Sequence, residues 1–340
     1  MHNYIFFYKL IISLSVAIIL LTSLKKIVNF IDIYDKPGPR KIHKSSVPLI
    51  GGTLIYLYLI INYSLYELIL NENLKFEFNI FSLNNFIFLN LIIFLIYFIG
   101  LIDDKFNLKN IKKLFFLSIL VALICYQDNS LIPKIFEFSF GWNITINTLN
   151  KILIFLLIIS FMVSMNLFDG VNLQSGIFYL INFGFLSIYL NNINIIFLFV
   201  FPVIIFLYLN YRNKCFLGDS GSNLLSFILI YLLIKASIHS NNDVKFDEII
   251  LFIFLPCLDS FRLFIYRLWV YGQPFKADMN HFHHIVMRKT KFNNFILISS
   301  SMILLPHIFF IFDINFFISI LIITLLYFLL LIGSNKNKTI

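Results

Sequence analysis

The sequence predicts an all-α, polytopic integral membrane protein with about eleven transmembrane helices. Of its 340 residues, 60% are hydrophobic and only 13% are charged, whereas a soluble domain is about half apolar and about a quarter charged. Apolar runs of about 20 residues recur along the chain, and each is long enough to cross roughly 30 Å of hydrocarbon. The runs lack the alternation of membrane-barrel strands, so we expect helices.

The apolar runs are expected to form one transmembrane domain over residues 1–340. The first run ends in Lys25-Lys26 rather than at a small-residue cleavage site, so we interpret it as a span. Only Asn191-Asn192 separates the sixth run from the seventh, and the count falls to ten if these two runs form one span. The predicted spans are 4–24, 49–70, 86–102, 112–127, 149–166, 174–190, 193–210, 223–240, 248–267, 294–312 and 315–333.

The distribution of lysine and arginine predicts that the N-terminus lies outside. Basic residues concentrate in the loops that face the cytoplasm, and this orientation places most of the 26 lysines and arginines inside. The predicted cytoplasmic loops are about 25–48, 103–113, 167–173, 211–222 and 268–293.

Five short polar segments interrupt the apolar sequence, and the predicted orientation places all of them inside. They are Asp35–His43, Asp103-Asp104, Asn166–Asn172, Gly218–Ser222 and Asp278–Arg288. Clustering on one side predicts an active site at the cytoplasmic face. A transporter or flippase for a lipid-linked or anionic solute is the competing class, but it would place polar groups near the middle of the membrane.

Asp103 and Asp104 are adjacent carboxylates at the end of a long apolar run. Charge at a membrane boundary is costly, so it indicates a functional site. One carboxylate can bind a divalent cation while the other accepts a proton. The structural alternative is a solvated helix end paired with Lys105.

The next two polar segments also offer oxygen ligands. Asn166 and Asp169 are three residues apart and share a face if the segment is helical; the alternative is an ordinary turn at Gly170. Asp219 lies in a glycine-rich helix start that suits phosphate and a hard cation. The alternative there is an N-cap by Asp219 or Ser222.

The last segment clusters His281, His283 and His284 ahead of Arg288. These side chains could bind a metal, a phosphate or a sugar, or be incidental surface residues. Because the other segments are rich in carboxylates and lack cysteine, we expect Mg²⁺ or Mn²⁺ rather than zinc. In the first segment, Lys41 and His43 are candidates for gripping a lipid phosphate.

The net charge of +9 is attributed to orientation, and we expect no nucleic-acid partner because no basic–aromatic binding module occurs. The expected partner surface is the lipid bilayer.

Taken in order, the polar segments resemble those of the polyprenyl-phosphate N-acetylhexosamine-1-phosphate transferase family. The resemblance covers about residues 35–288, and its final loop is similar to that of the branch that starts O-antigen, common antigen or teichoic acid chains. The peptidoglycan phospho-MurNAc-pentapeptide transferase branch is the alternative. The matching sequences are DKPGPRKIH with PLIGG, GLIDDKFNLKNIKKL, NLFDGVN, FLGDSGS and PFKADMNHFHH.

The resemblance implies a multi-pass enzyme of the bacterial inner membrane, with a homodimer among its expected assemblies. It would transfer an N-acetylhexosamine 1-phosphate from a UDP-sugar to undecaprenyl phosphate with Mg²⁺ or Mn²⁺, and would release UMP. By resemblance, Asp103, Asp104 and Asp169 are catalytic, and Asp219 with Asp104 binds the metal. The implied substrate-binding residues are Lys41, His43, Asn166, His281, His283, His284 and Arg288.

The chain departs from the family pattern after Asp169. Many bacterial members read DGxDGL where this chain has Asn172 and Leu173 in place of the second aspartate and glycine. A charged role at Asn172 is therefore not expected, and the change is a candidate for tuning the sugar or nucleotide pocket.

Overall fold

The computed structural model describes residues 2–38, 45–70, 83–145, 149–239, 244–273 and 278–332, and these are mainly helical. Two short antiparallel strand pairs accompany the helices, β1 (Tyr34–Asp35) with β2 (Val47–Pro48) and β3 (Phe136–Glu137) with β4 (Asn143–Ile144). The helices are α1 (His2–Thr22), α2 (Leu24–Ile31), α3 (Gly51–Leu70), α4 (Leu83–Phe106), α5 (Asn110–Gln127), α6 (Asn150–Phe168), α7 (Gln174–Tyr189), α8 (Ile193–Ile195), α9 (Phe201–Tyr211), α10 (Gly218–His239), α11 (Phe246–Phe252), α12 (Phe254–Tyr271), α13 (Phe282–Met287), α14 (Phe292–Ile311) and α15 (Phe316–Ile332).

Each of the eleven apolar runs is helical where it is described. Among the described residues, eight helices are long and apolar enough to cross a membrane, one of them running from α8 through a π-helical segment (Ile196–Val200) into α9. Helices α11 and α12 together could form a ninth span, bent by 71°. The chain is therefore a multi-pass membrane protein; the count of eleven and the orientation stay predictions.

Helix α10 is the central helix of the bundle, and 89% of its most apolar 18-residue stretch is buried. It packs against α3, α4, α6 and α7. Glycines allow the closest of these approaches: a Cβ on Gly52 would lie 2.3 Å from the Gly221 nitrogen, and one on Gly100 would lie 2.4 Å from the Ser220 Cα. Small residues let helix backbones come this close inside a membrane, so the end of α4 lies directly on the first turn of α10.

The other end of α10 is fixed by a buried ion pair. The Lys235 Nζ lies 2.8 Å from an Asp128 carboxylate oxygen, and both side chains are almost fully buried. The Tyr231 hydroxyl donates to the same oxygen at 2.7 Å, and Ser130 donates to the second oxygen through its backbone N–H at 3.1 Å. This network ties the segment after α5 to α10.

Removing one partner of this pair is expected to destabilise the protein. In Lys235→Met, Asp128 would remain buried without its counter-ion, a change that typically costs about 3–5 kcal/mol. The double variant Lys235→Met with Asp128→Leu should recover most of the loss, because it leaves no unpaired charge. Thermal unfolding in detergent measures both.

The matched control is Lys151→Met, since Lys151 is an exposed lysine near the same end of the bundle that donates to Asn129. An unfolding midpoint for Lys235→Met equal to that of Lys151→Met would contradict the expectation.

Candidate functional site

The closest contact between α4 and α10 brings Asp104 onto the N-terminus of α10. Its Oδ1 accepts a hydrogen bond from the Asp219 backbone N–H at 2.7 Å, and its Oδ2 accepts one from the Ser220 N–H at 3.1 Å. The first N–H groups of a helix have no partner within the helix, and a carboxylate there also interacts favourably with the helix dipole. Asp104 therefore positions the turn that carries Asp219, and its assignment as a metal ligand stays a prediction.

Gly218, the first residue of α10, has the backbone conformation and the free space that this contact requires. Its φ is +73°, which glycine adopts without strain. A Cβ at this position would lie 2.6 Å from the Asp104 Oδ2. Gly218 thus leaves room for the Asp104 carboxylate to reach the first turn of α10.

Lys113 of α5 joins the other two carboxylates of the site. Its Nζ donates to the Asp103 Oδ2 at 2.8 Å and to the Asp219 Oδ2 at 2.7 Å. The remaining Asp103 oxygen accepts from the Leu108 N–H at 2.7 Å, and the Asn166 side-chain amide donates to the Asp219 Oδ1. The Asp219 side chain is 31% exposed and that of Asp103 only 7%, so Asp219 is the more accessible carboxylate.

Asp169 follows the last residue of α6 and lies in a different setting. The Ser175 hydroxyl donates to its Oδ1. Burial raises the pKa of the Asp169 carboxyl to about 7, with a further contribution from the Asp219 charge, and the Ser175 hydrogen bond opposes the increase. A carboxyl that titrates near neutral pH is suited to exchange a proton during a reaction.

Most of these side chains line one cavity of about 1010 Å³, a volume typical of the larger small-molecule sites. Phe216, Tyr211 and Asn213 contribute to its wall from the segment before α10. The predicted site residues that line it are Asp103, Asp104, Asn166, Asp169, Asp219 and His284.

His283 lies behind the cavity wall against Gly170, next to Asp169. Its side chain is almost completely buried, and a Cβ on Gly170 would lie 2.2 Å from its Nε2. Burial lowers the pKa of His283 to about 3, and burial with the nearby His281 and Arg288 lowers that of His284. His283 is therefore neutral at pH 7, so its ring can form hydrogen bonds but carries no positive charge.

Two other predicted substrate-binding residues make contacts away from the cavity. The His281 ring is buried between Asp259 and Arg267, 2.9 Å and 3.1 Å from their polar atoms. Arg288 is exposed and donates to the Met279 carbonyl at 3.0 Å. Their assignment as substrate contacts stays a prediction, and Lys41 and His43 lie outside the described residues.

The structure explains how the chain accommodates its departure after Asp169. Leu173 has a φ of +71°, the left-handed conformation that the family's glycine would adopt without strain. Its N–H donates to the Asn210 Oδ1 at 2.7 Å. The Asn172 amide donates to the Asn210 carbonyl at 3.3 Å and to the Asn213 Oδ1 at 2.6 Å. These bonds hold the loop in shape although the glycine is absent.

Sequence reasoning missed three contributors to the site. Lys113 was counted only as a basic loop residue, yet it contacts two of the carboxylates. Ser175 carried no motif signal. Asp259 did carry one, because a carboxylate inside an apolar run is a candidate functional residue by itself.

The oxygen donors at this end fit a magnesium or manganese ion. Among the described residues, no three Asp, Glu, His or Cys side chains converge as a closed metal site. Mg²⁺ usually takes only one or two protein carboxylates and completes its coordination shell with water and substrate phosphates. Asp219, the more exposed of the two carboxylates that contact Lys113, can supply one such ligand.

Comparison with known proteins is consistent with this geometry. Residues 86–237 match the family model for glycosyl transferase family 4. A protein of Yersinia pestis named undecaprenyl-phosphate alpha-N-acetylglucosaminyl 1-phosphate transferase is 25% identical over 84% of this chain and 78% of its own length. Proteins of the same name from Escherichia coli K12 and Haemophilus influenzae are 23% and 22% identical, over 86% and 80% of this chain and 81% and 76% of their own lengths.

Gly170→Ala is expected to disrupt the contact between the Asp169 loop and the histidine loop. The new methyl group would overlap the His283 ring, which is too buried to move aside, and overpacking of this kind typically costs about 1–3 kcal/mol. The midpoint of thermal unfolding should fall accordingly.

Gly184→Ala is the matched control, because a Cβ at this helical position would meet nothing within 4 Å. It should leave the midpoint unchanged or raise it, since alanine is favoured over glycine in helices. Equal midpoints for the two variants would show that the Gly170 contact is unimportant.

Proposed function

We propose that this chain, whose residues 86–237 match the family model for glycosyl transferase family 4, transfers an N-acetylhexosamine 1-phosphate from a UDP-sugar to undecaprenyl phosphate and releases UMP. The reaction is of the phosphotransferase class. The names of its relatives favour UDP-N-acetylglucosamine as the donor. We place the reaction at the first membrane step of a cell-surface polysaccharide, on the cytoplasmic side of the bacterial inner membrane.

The observation that carries the proposal is the convergence of Asp103, Asp169, Asp219 and Asn166 on one cavity from the ends of α4, α6 and α10. These residues are far apart in sequence, and no structural need accounts for bringing three carboxylates together at a helix-bundle end. Neighbouring carboxylates repel one another, so their convergence indicates a function that offsets this cost.

The charges of the substrates explain why a cation is required. Both the donor diphosphate and the acceptor phosphate are anionic, and the cavity they would enter is lined by carboxylates. Lys113 offsets part of this charge through its contacts with Asp103 and Asp219. A divalent cation bound at Asp219 would neutralise the diphosphate and stabilise the departing UMP.

The chain's own side chains would hold and orient the reactants. Asn166 fixes the Asp219 carboxylate through its amide, and Asp104 fixes the backbone of the same residue. Asp169 is suited to accept a proton from the acceptor phosphate, since its pKa of about 7 is matched to neutral pH. Asp103 has one oxygen on Lys113 and the other on the Leu108 N–H, which suits it to orienting a reactant. Burial and the neighbouring Asp219 raise its pKa to about 6, so it is a second candidate for proton exchange.

Neutralising the site carboxylates should abolish the reaction. Asp219→Asn and Asp103→Asn are each expected to reduce UMP release from UDP-N-acetylglucosamine and undecaprenyl phosphate by at least about 100-fold, the typical cost of losing a preorganised charged group. Excess EDTA should stop the wild-type reaction, and added Mg²⁺ should restore it.

Glu67→Gln, which neutralises an exposed carboxylate on α3, is the matched control and should retain activity. Full activity of Asp219→Asn would remove Asp219 from the mechanism. Activity that survives EDTA would exclude the metal.

The activity should also depend on the ionisation of Asp169. The rate is expected to rise with pH through about 7, because a carboxyl accepts a proton only when it is deprotonated. Ser175→Ala removes a hydrogen bond that favours the charged form, so it should raise the Asp169 pKa and move this limb of the profile to higher pH. An unmoved limb in Ser175→Ala would assign the ionisation to another group.

A further inference from the structure

Asp259 of α12 is a carboxylate in an apolar helix, is 1% exposed, and does not line the cavity. Four donors surround it. Its Oδ1 accepts from the Arg262 guanidinium at 2.9 Å, the Phe282 N–H at 3.1 Å and the Tyr327 hydroxyl at 2.6 Å. Its Oδ2 lies 2.9 Å from the His281 Nδ1. The donors come from α12, from the start of α13 and from α15.

The two arginines of α12 hold the rest of the histidine loop. Arg267 forms a two-pronged ion pair with Asp278 at 2.9 Å and 3.0 Å. Arg262 donates to the Asn280 carbonyl at 2.6 Å. The loop that carries the three histidines is therefore fixed to α12 at both side-chain and backbone positions.

The same contacts set the orientation of the His281 ring. Arg267 can only donate, so the His281 Nε2 that it contacts at 3.1 Å must accept. The hydrogen of the neutral ring then lies on Nδ1 and is donated to Asp259. The His283 ring lies parallel to His281, at an angle of 4° with centroids 5.4 Å apart. His283 in turn packs against Gly170, so the contacts lead from Asp259 to the loop of Asp169.

The Tyr327 hydroxyl connects this support to α15, the last described helix. It accepts from the Arg262 Nε at 2.6 Å while it donates to Asp259. Its ring also stacks on Phe282, with centroids 5.7 Å apart. Tyr327 is fully buried. The exposed Lys289, just after the histidine loop, also contacts α15 by donating to the Leu330 carbonyl at 2.9 Å.

We propose that Asp259 and Tyr327 are positioning residues that hold the histidine loop, and with it the cavity-lining His284, in place and so set the enzyme's affinity for the UDP-sugar. Only the effect on UDP-sugar affinity rests on the proposed function. The structural part concerns the loop itself and can be tested without catalysis.

Tyr327→Phe is the decisive variant, because it keeps the ring and its packing but removes the hydroxyl. Tyr58→Phe is the matched control: Tyr58 is equally buried, and its hydroxyl donates to the Phe197 carbonyl far from the loop. Each variant loses buried hydrogen bonding, so the comparison separates the loop contact from general destabilisation. Asp259→Asn provides a second variant that removes the charge.

Hydrogen–deuterium exchange of the peptide covering 278–288 tests the support directly. Tyr327→Phe and Asp259→Asn should exchange faster than the wild type, above all at the Phe282 amide, whereas Tyr58→Phe should match the wild type. Exchange in Tyr327→Phe equal to that in Tyr58→Phe overturns the proposal.

Steady-state kinetics tests the consequence. Tyr327→Phe should raise the KM for UDP-N-acetylglucosamine by roughly 10-fold, the order of effect that corresponds to one lost hydrogen bond, and leave the KM for undecaprenyl phosphate unchanged. A loss of kcat alone, with both KM values unchanged, would indicate only less folded enzyme and would also overturn the proposal. If the wild type released no UMP, the proposed function would fail, and faster exchange in Tyr327→Phe would still support the loop assignment.

Discussion

The candidate site depends on the contact between the Asp104 carboxylate and the first turn of α10. A helix start in a membrane needs partners for its free N–H groups, and here another helix supplies them through a side chain. The contact exists because Gly100 lets the two backbones meet and Gly218 leaves room for the Asp104 carboxylate. In this arrangement the Lys113 Nζ lies between Asp103 and Asp219 and contacts both carboxylates.

Around this contact, the charged groups fall into two sets with different exposure. Asp219 and Asp169 line the cavity, where substrate can reach them. The second set, centred on Asp259, is buried behind the histidine loop, and its charges pair as Arg262 with Asp259 and Arg267 with Asp278. Such buried pairs add little stability by themselves but enforce a particular geometry when all partners are present. The division explains why so many ionisable side chains occur at one end of an otherwise apolar bundle.

The sequence was sufficient to predict helices and to select six of the residues that line the cavity, because apolar length and isolated polar residues are local signals. Each predicted run is helical, and Asp103, Asn166, Asp169 and Asp219 do converge. What it could not reveal depends on contacts between distant segments. The hydrogen bonds of Asp104 with α10 and the burial of His281 follow from helix packing. The 71° bend between α11 and α12 lies inside one predicted span, and its local signal is Pro256, which cannot donate a backbone hydrogen bond to the preceding turn.

The loop after Asp169 also constrains how this chain can vary. Asn172 donates to a backbone carbonyl, which no substitution elsewhere can remove, and to the Asn213 side chain. An aspartate at 172 would turn a carboxylate towards both oxygens, so the residue typical of the family is disfavoured in this loop. Positions 172 and 213 are therefore coupled, because a change at either one alone removes a hydrogen bond that holds the loop.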